Sequence, residues 1–246
     1  MTCDIVIRSY WRDLAWLELC LLAVDRYCQG FSEVIVVIPR RSEPWLRRRR
    51  PLPAHVRLEL CPDYPDDYLG QQVSKLYADQ LSEAQFICHL DSDCIFRRLT
   101  TPGDLVPGGR PRVVTRPVDT LPRHWPWTQP TRAFLGWPPT HDYLQQPPFT
   151  YPRWLYREIR DWSLREKDVA LSDWVLSQPP RGFSEFNVLA GYAHTHHPDA
   201  FEWVPVDTLS PNDRRCEWFW SWGGLDAELR LQIDHLLQPE INQGYG

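Results

Sequence analysis

Phe86-Ile87-Cys88-His89-Leu90-Asp91-Ser92-Asp93-Cys94-Ile95-Phe96 is the stretch on which the reading of this chain turns. An apolar run leads into two aspartates one residue apart, and apolar residues resume at Ile95. Such a run has the pattern of a fully buried central strand. A buried carboxylate without a partner is strongly unfavourable, so two of them at the carboxyl end of a core strand call for a cation. Alternation along an extended chain places Asp91 and Asp93 on one side of the backbone, both able to face one divalent ion. Hard oxygen ligands of this kind suit Mg2+ or Mn2+. The plainer alternative is a solvated Asp-Ser-Asp turn, because a short motif is weak alone. The flanking sequence separates the two.

Upstream, Ile5-Val6-Ile7 reads as a buried strand that opens onto Arg8-Ser9-Tyr10. Asp13 stands where a helix cap belongs, followed by Leu14, Leu17, Leu21 and Val24 at helical spacing. Val34 to Ile38, stopped by Pro39, is a second strand, and His55 to Leu60 a third, ending at Cys61-Pro62-Asp63. Gly70 to Glu83 reads as a helix with Val73, Leu76, Tyr77 and Leu81 inward. Strand, helix, strand, strand, helix, strand predicts an α/β fold with a mostly parallel central sheet flanked by helices. Ligands of such sheets bind beyond the carboxyl ends of the strands. Ser9, Asp63, Asp91 and Asp93 all fall there.

With 246 residues, 43% of them hydrophobic and 13% aromatic, the chain builds a full core and is not disordered. The net charge of -5 gives no global attraction to a polyanion. Seven cysteines without a Cys-x-x-Cys pair read as reduced, buried thiols, which suits a cytoplasmic protein. Met1-Thr2-Cys3-Asp4 runs straight into a strand with no leader pattern, and no apolar stretch is long enough to span a bilayer.

Beyond Arg97 the composition shifts. Residues 102–152 are crowded with proline and tryptophan, as in Pro122, Trp125, Pro126, Trp127, Pro130 and Trp137. They predict ordered, irregular loops with a short strand at Arg112 to Thr115, the kind of long loop that binds. Arg153 to Leu164 and Asp168 to Leu176 read as helices, the first with Trp154, Leu155, Ile159 and Trp162 on one face. Ser184 is a candidate N-cap for a helix with Glu185 in its first turn. Phe201 to Val206 reads as the last strand. No linker interrupts 1–246, so one domain is expected.

Together these residues resemble the GT-A class of glycosyltransferases, with a strand ending in Asp-x-Asp near residue 90. Ser9-Tyr10 follows the first strand, Gly70-Gln71-Gln72-Val73-Ser74-Lys75-Leu76 lies on the preceding helix, and Ser184-Glu185-Phe186 comes late. Within the class the chain is most similar to a bacterial and phage group with Gln-Gln-x-x-Lys-Leu and Ser-Glu-aromatic motifs. The resemblance implies a single GT-A domain, with residues 1–100 binding a nucleotide sugar, a UDP-sugar foremost, and 101–246 binding the acceptor. It implies that Asp93 ligates Mn2+ or Mg2+ bridging the diphosphate, and that Asp91 contacts the ribose or the ion. Ser9, Tyr10 and Asp63 would line the nucleotide pocket, and Lys75, with Gln71 and Gln72, would face the donor. Many relatives of this class add a late histidine as metal ligand. The segment Trp218 to Gly224, where it would fall, contains none. His194, His196 and His197 offer another source, or simply a surface turn.

Breaking a sugar–phosphate bond requires the departing charge to be neutralised, which a carboxylate-held metal does as a Lewis acid. A lysine adds a point charge, and only two lysines, Lys75 and Lys167, occur among 27 basic residues. The acceptor hydroxyl needs a base or the leaving phosphate, and Glu185 is the candidate base. For the acceptor, Arg40, Arg41 and Arg47 to Arg50 suit phosphate backbones. Arg110, Arg112, Arg116, Arg123 and Arg132 interleave with Trp125, Trp127 and Trp137, rings that stack on an unpaired or flipped base. A hydroxymethylated pyrimidine in DNA is thus one expected acceptor and a glycan the other. A non-catalytic nucleotide- or glycan-binding domain of the same fold is the alternative to an enzyme.

Overall fold

In the computed structural model, which describes residues 1–49 and 51–238, Ile5-Val6-Ile7 forms the middle of β1 (Cys3–Arg8). It lies between β2 (Val34–Pro39) and β4 (Phe86–Asp91), parallel to both. β3 (Val56–Cys61) extends the sheet in parallel on one side, and β8 (Phe149–Pro152) closes it antiparallel on the other, giving the order β3-β2-β1-β4-β8. Every residue of β1 and β2 is buried. This explains their unbroken apolar runs, since a strand covered on both faces has no polar side to alternate with.

The two-residue period of the strands divides the core. Ile5, Ile7, Val36 and Ile38 pack with Leu14, Leu17 and Leu21 of α1 (Leu14–Tyr27). Val6, Ile35 and Val37 belong to the opposite core, shared with Val73 and Leu76 of α3 (Asp67–Leu76), Leu155 and Ile159 of α6 (Arg153–Lys167) and Leu189 of α8 (Glu185–His196). Each fully buried Leu or Ile contributes roughly 1.5–3 kcal/mol, so the floor beneath the strand ends is rigid. Two smaller sheets complete the molecule. β5 (Cys94–Phe96) pairs antiparallel with β10 (Cys216–Trp218), and β6 (Arg112–Pro117) lies between β7 (His141–Asp142) and β9 (Glu202–Pro205).

Several expectations shift. The helix expected to reach Glu83 ends at Leu76 and gives way to a tight turn at Ala78–Gln80. The Asp79 carboxylate is gripped there by both terminal nitrogens of Arg160 at 2.6 Å, and this bidentate ion pair outweighs helical continuation. The proline- and tryptophan-rich segment is more regular than its composition suggests. It holds α4 (Pro102–Leu105), β6, α5 (Thr128–Leu135), β7 and β8. Pro117 and Pro152 end strands, and Pro130 lies in the first turn of α5, where the missing N–H has no partner to lose. Trp154, placed inward by sequence, is 44% exposed, because Leu155, Ile159 and Trp162 form the buried stripe and Trp154 points off it. The following helix, α7 (Leu171–Leu176), starts three residues late, after Asp168 adopts a left-handed conformation at φ 54°. β9 is not the last strand, since β10 and α9 (Ala227–Leu236) follow. All seven cysteines are free thiols and six are buried. No described helix is long and apolar enough to cross a membrane.

Candidate functional site

Parallel pairing sets Arg8 at the end of β1 directly opposite Asp91 at the end of β4. The extended strand stops at Asp91. Ser92 and Asp93 form a turn into β5, so the expected strand alternation does not carry through to Asp93. The second aspartate is instead placed by the returning C-terminal segment. Phe219 N donates to Asp93 O at 3.0 Å, and Ser221 N donates to Asp93 Oδ2 at 2.8 Å. Ser9 Oγ, 2% exposed, donates to Ser92 Oγ at 3.1 Å and ties the β1 loop to the same turn.

Lys75 is 2% exposed. Its Nζ lies 2.5 Å from Asp91 Oδ1 and 2.8 Å from Glu185 Oε1, with the Phe186 ring 5.0 Å beneath it. Asp91 Oδ1 has that ammonium beside it but no hydrogen-bond donor aligned on it. Burial alone would lower the lysine pKa, but the two carboxylates outweigh it and the net shift is upward. Burial raises Glu185, and Lys75 pulls it back. Gln72 Oε1 accepts from Glu185 N at 2.8 Å. The motif helix and the Ser-Glu-Phe helix are thereby locked together through Lys75, Gln72 and Glu185. Lys75 faces these two carboxylates rather than solvent, and Glu185 holds it in place. Ser184 begins α8 without bonding its backbone N–H groups, and its Oγ accepts from Asn187 Nδ2 at 3.1 Å.

The other half of the site has no such partner. Burial and then the neighbouring Asp91 charge push Asp93 up to about 7, with the Ser221 amide opposing. Burial, then Asp91 and Asp67, push Asp13 up to about 6 against the Ser221 hydrogen bond. Asp13 is not the helix cap its position suggested. Its Oδ2 accepts from Ser221 Oγ at 2.9 Å, and it makes no cap bond. Ser221 thus bridges Asp13 and Asp93, and Trp220 beside it is held at φ 24°, a conformation a side chain rarely adopts. The C-terminal segment, which has no histidine where the resemblance would place one, brings an amide and a hydroxyl to Asp93 and Asp13.

The remaining expected residues divide. Tyr10 is half-buried with its ring edge-on to Trp11. Asp63 is exposed and accepts from Arg41 N at 2.9 Å. Gln71 is half-buried, beside the fully engaged Gln72. His194 bonds Tyr143 and His197 bonds Glu158, both near the far end of α8 and remote from the acids. The expected base-stacking loops are used for packing. Trp125 Nε1 donates to Asp142 at 2.8 Å, Trp127 stacks on Tyr68, and Trp137 packs edge-on to Trp162. Arg112 pairs with Glu202 and Arg116 with Gln145. Arg50 lies outside the described residues.

Sequence reading missed four residues of the site: Arg8, Asp13, Asp67 and Ser221. Arg8 is 4% exposed, and its guanidinium donates to Ser74 Oγ at 3.4 Å and Asp67 Oδ1 at 3.3 Å. A charged residue closing a buried strand was the available signal for Arg8. Nothing local marks Ser221.

Divalent-cation chemistry fits these residues in one specific way. Asp91 Oδ1 lacks an aligned donor, and Asp93 Oδ1 has only the Cys94 thiol at 4.0 Å. Both are hard oxygens, but only Asp93 lacks a basic partner among the described residues, since Asp91 Oδ1 shares the Lys75 ammonium. Among the described residues no three His, Cys, Asp or Glu side chains converge on one point, so protein alone does not complete a coordination shell. Mg2+ characteristically takes one or two carboxylates and completes its shell with water and substrate phosphate. The two best-formed cavities, of about 280 and 50 Å3, are lined by Trp137, Tyr143 and His194 and by Leu105, Arg112 and Arg215. Neither touches the acid pair.

Residues 12–161 match the model of a family described as "Family of unknown function (DUF6492)". That span holds Asp13, Lys75, Asp91 and Asp93 and stops before Glu185 and Ser221. No curated protein matches the sequence.

Proposed function

The chain belongs to that family, and on this premise we propose that it is a metal-dependent glycosyltransferase of GT-A type, moving a sugar from a nucleoside-diphosphate sugar to an acceptor hydroxyl. The observation that supports the reading is Asp93, buried in the turn after β4 with no basic partner among the described residues and raised to about 7, beside Asp91 at the end of that strand. Structural carboxylates are normally paired; a buried one left short of positive charge marks a site built for an incoming cation. Asp91 and Asp93 would hold Mn2+ or Mg2+, which when bound supplies Lewis-acid neutralisation of the diphosphate.

The chain's own groups have distinct parts. Lys75, charged at all physiological pH, fixes Asp91 so that one of its oxygens stays turned to the mouth. Glu185 and Gln72 hold Lys75 on its far side, which makes Glu185 a positioning residue and leaves the leaving phosphate as the proton acceptor for the incoming hydroxyl. Ser221 orients Asp93 through its amide and Asp13 through its hydroxyl. Ser9 and Tyr10, at the tip of β1, lie where a nucleoside would sit beyond the strand ends.

A second reading, a non-catalytic binding domain of the same fold, is favoured by one observation: Lys75 is already neutralised by two carboxylates and has little charge left for phosphates. Incubation with a panel of UDP-, GDP- and other sugar nucleotides with Mn2+ separates the two. Transfer predicts release of free nucleoside diphosphate that is abolished in Asp93→Asn. Donor-dependent thermal stabilisation without release would support the binding domain, and neither response would remove both.

A further inference from the structure

Trp11 and Trp45 are 38% and 49% exposed, yet they do not stand alone. Their rings stack at 5.6 Å and 28°. The Arg12 guanidinium lies 4.8 Å over Trp11, and that of Arg48 lies 5.4 Å over Trp45. The stack is built into the fold. Trp11 N donates to Ser42 Oγ at 3.1 Å, pinning α2 (Glu43–Leu46), which carries Trp45, to the loop after β1. Trp11 touches Tyr10, and Asp13 of the acid cluster is two residues on.

Around the stack, Arg12, Arg40, Arg41, Arg47, Arg48 and Arg49 are all exposed. Arg47 pairs with Glu43, Arg49 with Glu18 and Arg41 with Asp67. Arg12, Arg40 and Arg48 have no ion pair among the described residues. On a chain of net charge -5 this is a local reversal of sign.

We propose that the Trp11–Trp45 stack and its arginines are a docking surface for single-stranded nucleic acid, which presents the acceptor hydroxyl to the acid pair. Guanidiniums held over indole rings offer N–H forks to phosphate. The same planes and rings accept an unpaired base in a stack. A duplex hides its base faces. An anionic membrane would favour apolar tips reaching outward, whereas these rings face one another and the arginines. The docking itself stands on the surface; its role in presenting an acceptor rests on the transferase reading.

Fluorescence anisotropy of a labelled single strand of about 20 nucleotides, without donor or metal, tests it. Binding at about 50 mM salt that weakens linearly in log salt is expected. The double variant Trp11→Ala/Trp45→Ala should lose about tenfold or more in affinity, Trp11→Phe/Trp45→Phe should recover most of it, and Arg40→Ala/Arg48→Ala should flatten the salt slope. Absence of binding at that salt, binding indifferent to the rings, or equal or stronger binding to phosphatidylglycerol vesicles or to heparin would each overturn the proposal. Binding without nucleotide release in the sugar-nucleotide assay leaves the docking surface and removes its role in presenting an acceptor. Release without strand binding removes the docking surface and leaves the transferase reading.

Discussion

The two halves of the acid site are built on opposite principles. On one side the buried Lys75 and Glu185 and the half-buried Asp91 form a triad in which a single ammonium serves two carboxylates. On the other, Asp13 and Asp93 have only the neutral Ser221 between them, and both are pushed up to about 6 and about 7. The paired half is closed, because removing Lys75 leaves two carboxylates without their cation. In the unpaired half burial disfavours the charged carboxylates, which on the proposed reading an incoming cation would relieve. The difference makes Asp93, on the side of the β5–β10 pair, the residue that the proposal depends on, rather than the lysine.

The comparison breaks first at Lys75. Lys75→Met should cost roughly 3 kcal/mol, because the buried Glu185 and the half-buried Asp91 lose the cation between them, and urea unfolding at neutral pH measures it. If stability is unchanged, the triad is not part of the core. Asp93→Asn should act in the opposite direction. Its raised pKa means the charged form opposes folding as pH rises through about 7. In chelator at alkaline pH the variant should therefore be more stable by on the order of 1–2 kcal/mol. On the proposed reading Mn2+ should raise the melting temperature of the parent protein, and the variant should lose that shift. A destabilised Asp93→Asn would mean that the carboxylate is already satisfied.

Ser221→Ala should cost about 1 kcal/mol, because the amide bond to Asp93 persists and only the hydroxyl to Asp13 goes. Calorimetry resolves this, and a loss as large as that of Lys75→Met would erase the distinction between the halves. The smallest effect concerns His89, fully buried beneath the site, with Nε2 2.6 Å from Tyr156 Oη. Burial and then Lys75 lower its pKa from the usual 6.5 to about 3. The unfolded chain therefore binds the proton first, and the contribution of neutral His89 is full above 6.5 and lost as pH falls towards 3. Urea midpoints at about pH 4.5 and about pH 7.5 should differ less in His89→Gln than in the parent.

Much of this was legible in the chain. Ile5-Val6-Ile7 and Val34 to Ile38 read as buried strands and are covered on both faces, and the apolar run from Phe86 reads as a strand that ends at Asp91. Helical spacing marked Val73, Leu76, Leu155 and Ile159 as core. Errors gathered where a residue's local signal matched two roles. Asp13 has the position of a helix cap, and its carboxylate goes to Ser221, 208 residues away. The tryptophans of residues 125–137 looked like a binding loop and pack instead, while Trp11 and Trp45, 34 positions apart, make the exposed stack.

What the sequence determined by itself is which segments are strands and helices and where charge meets the core, because periodicity and burial are properties of neighbouring residues. Only the tertiary structure decided which carboxylates are paired. Lys75 reaches Glu185 across 110 positions and Ser221 reaches Asp93 across 128. Electrostatic energy depends on separation in space and on local desolvation, and neither is written in the order of the residues.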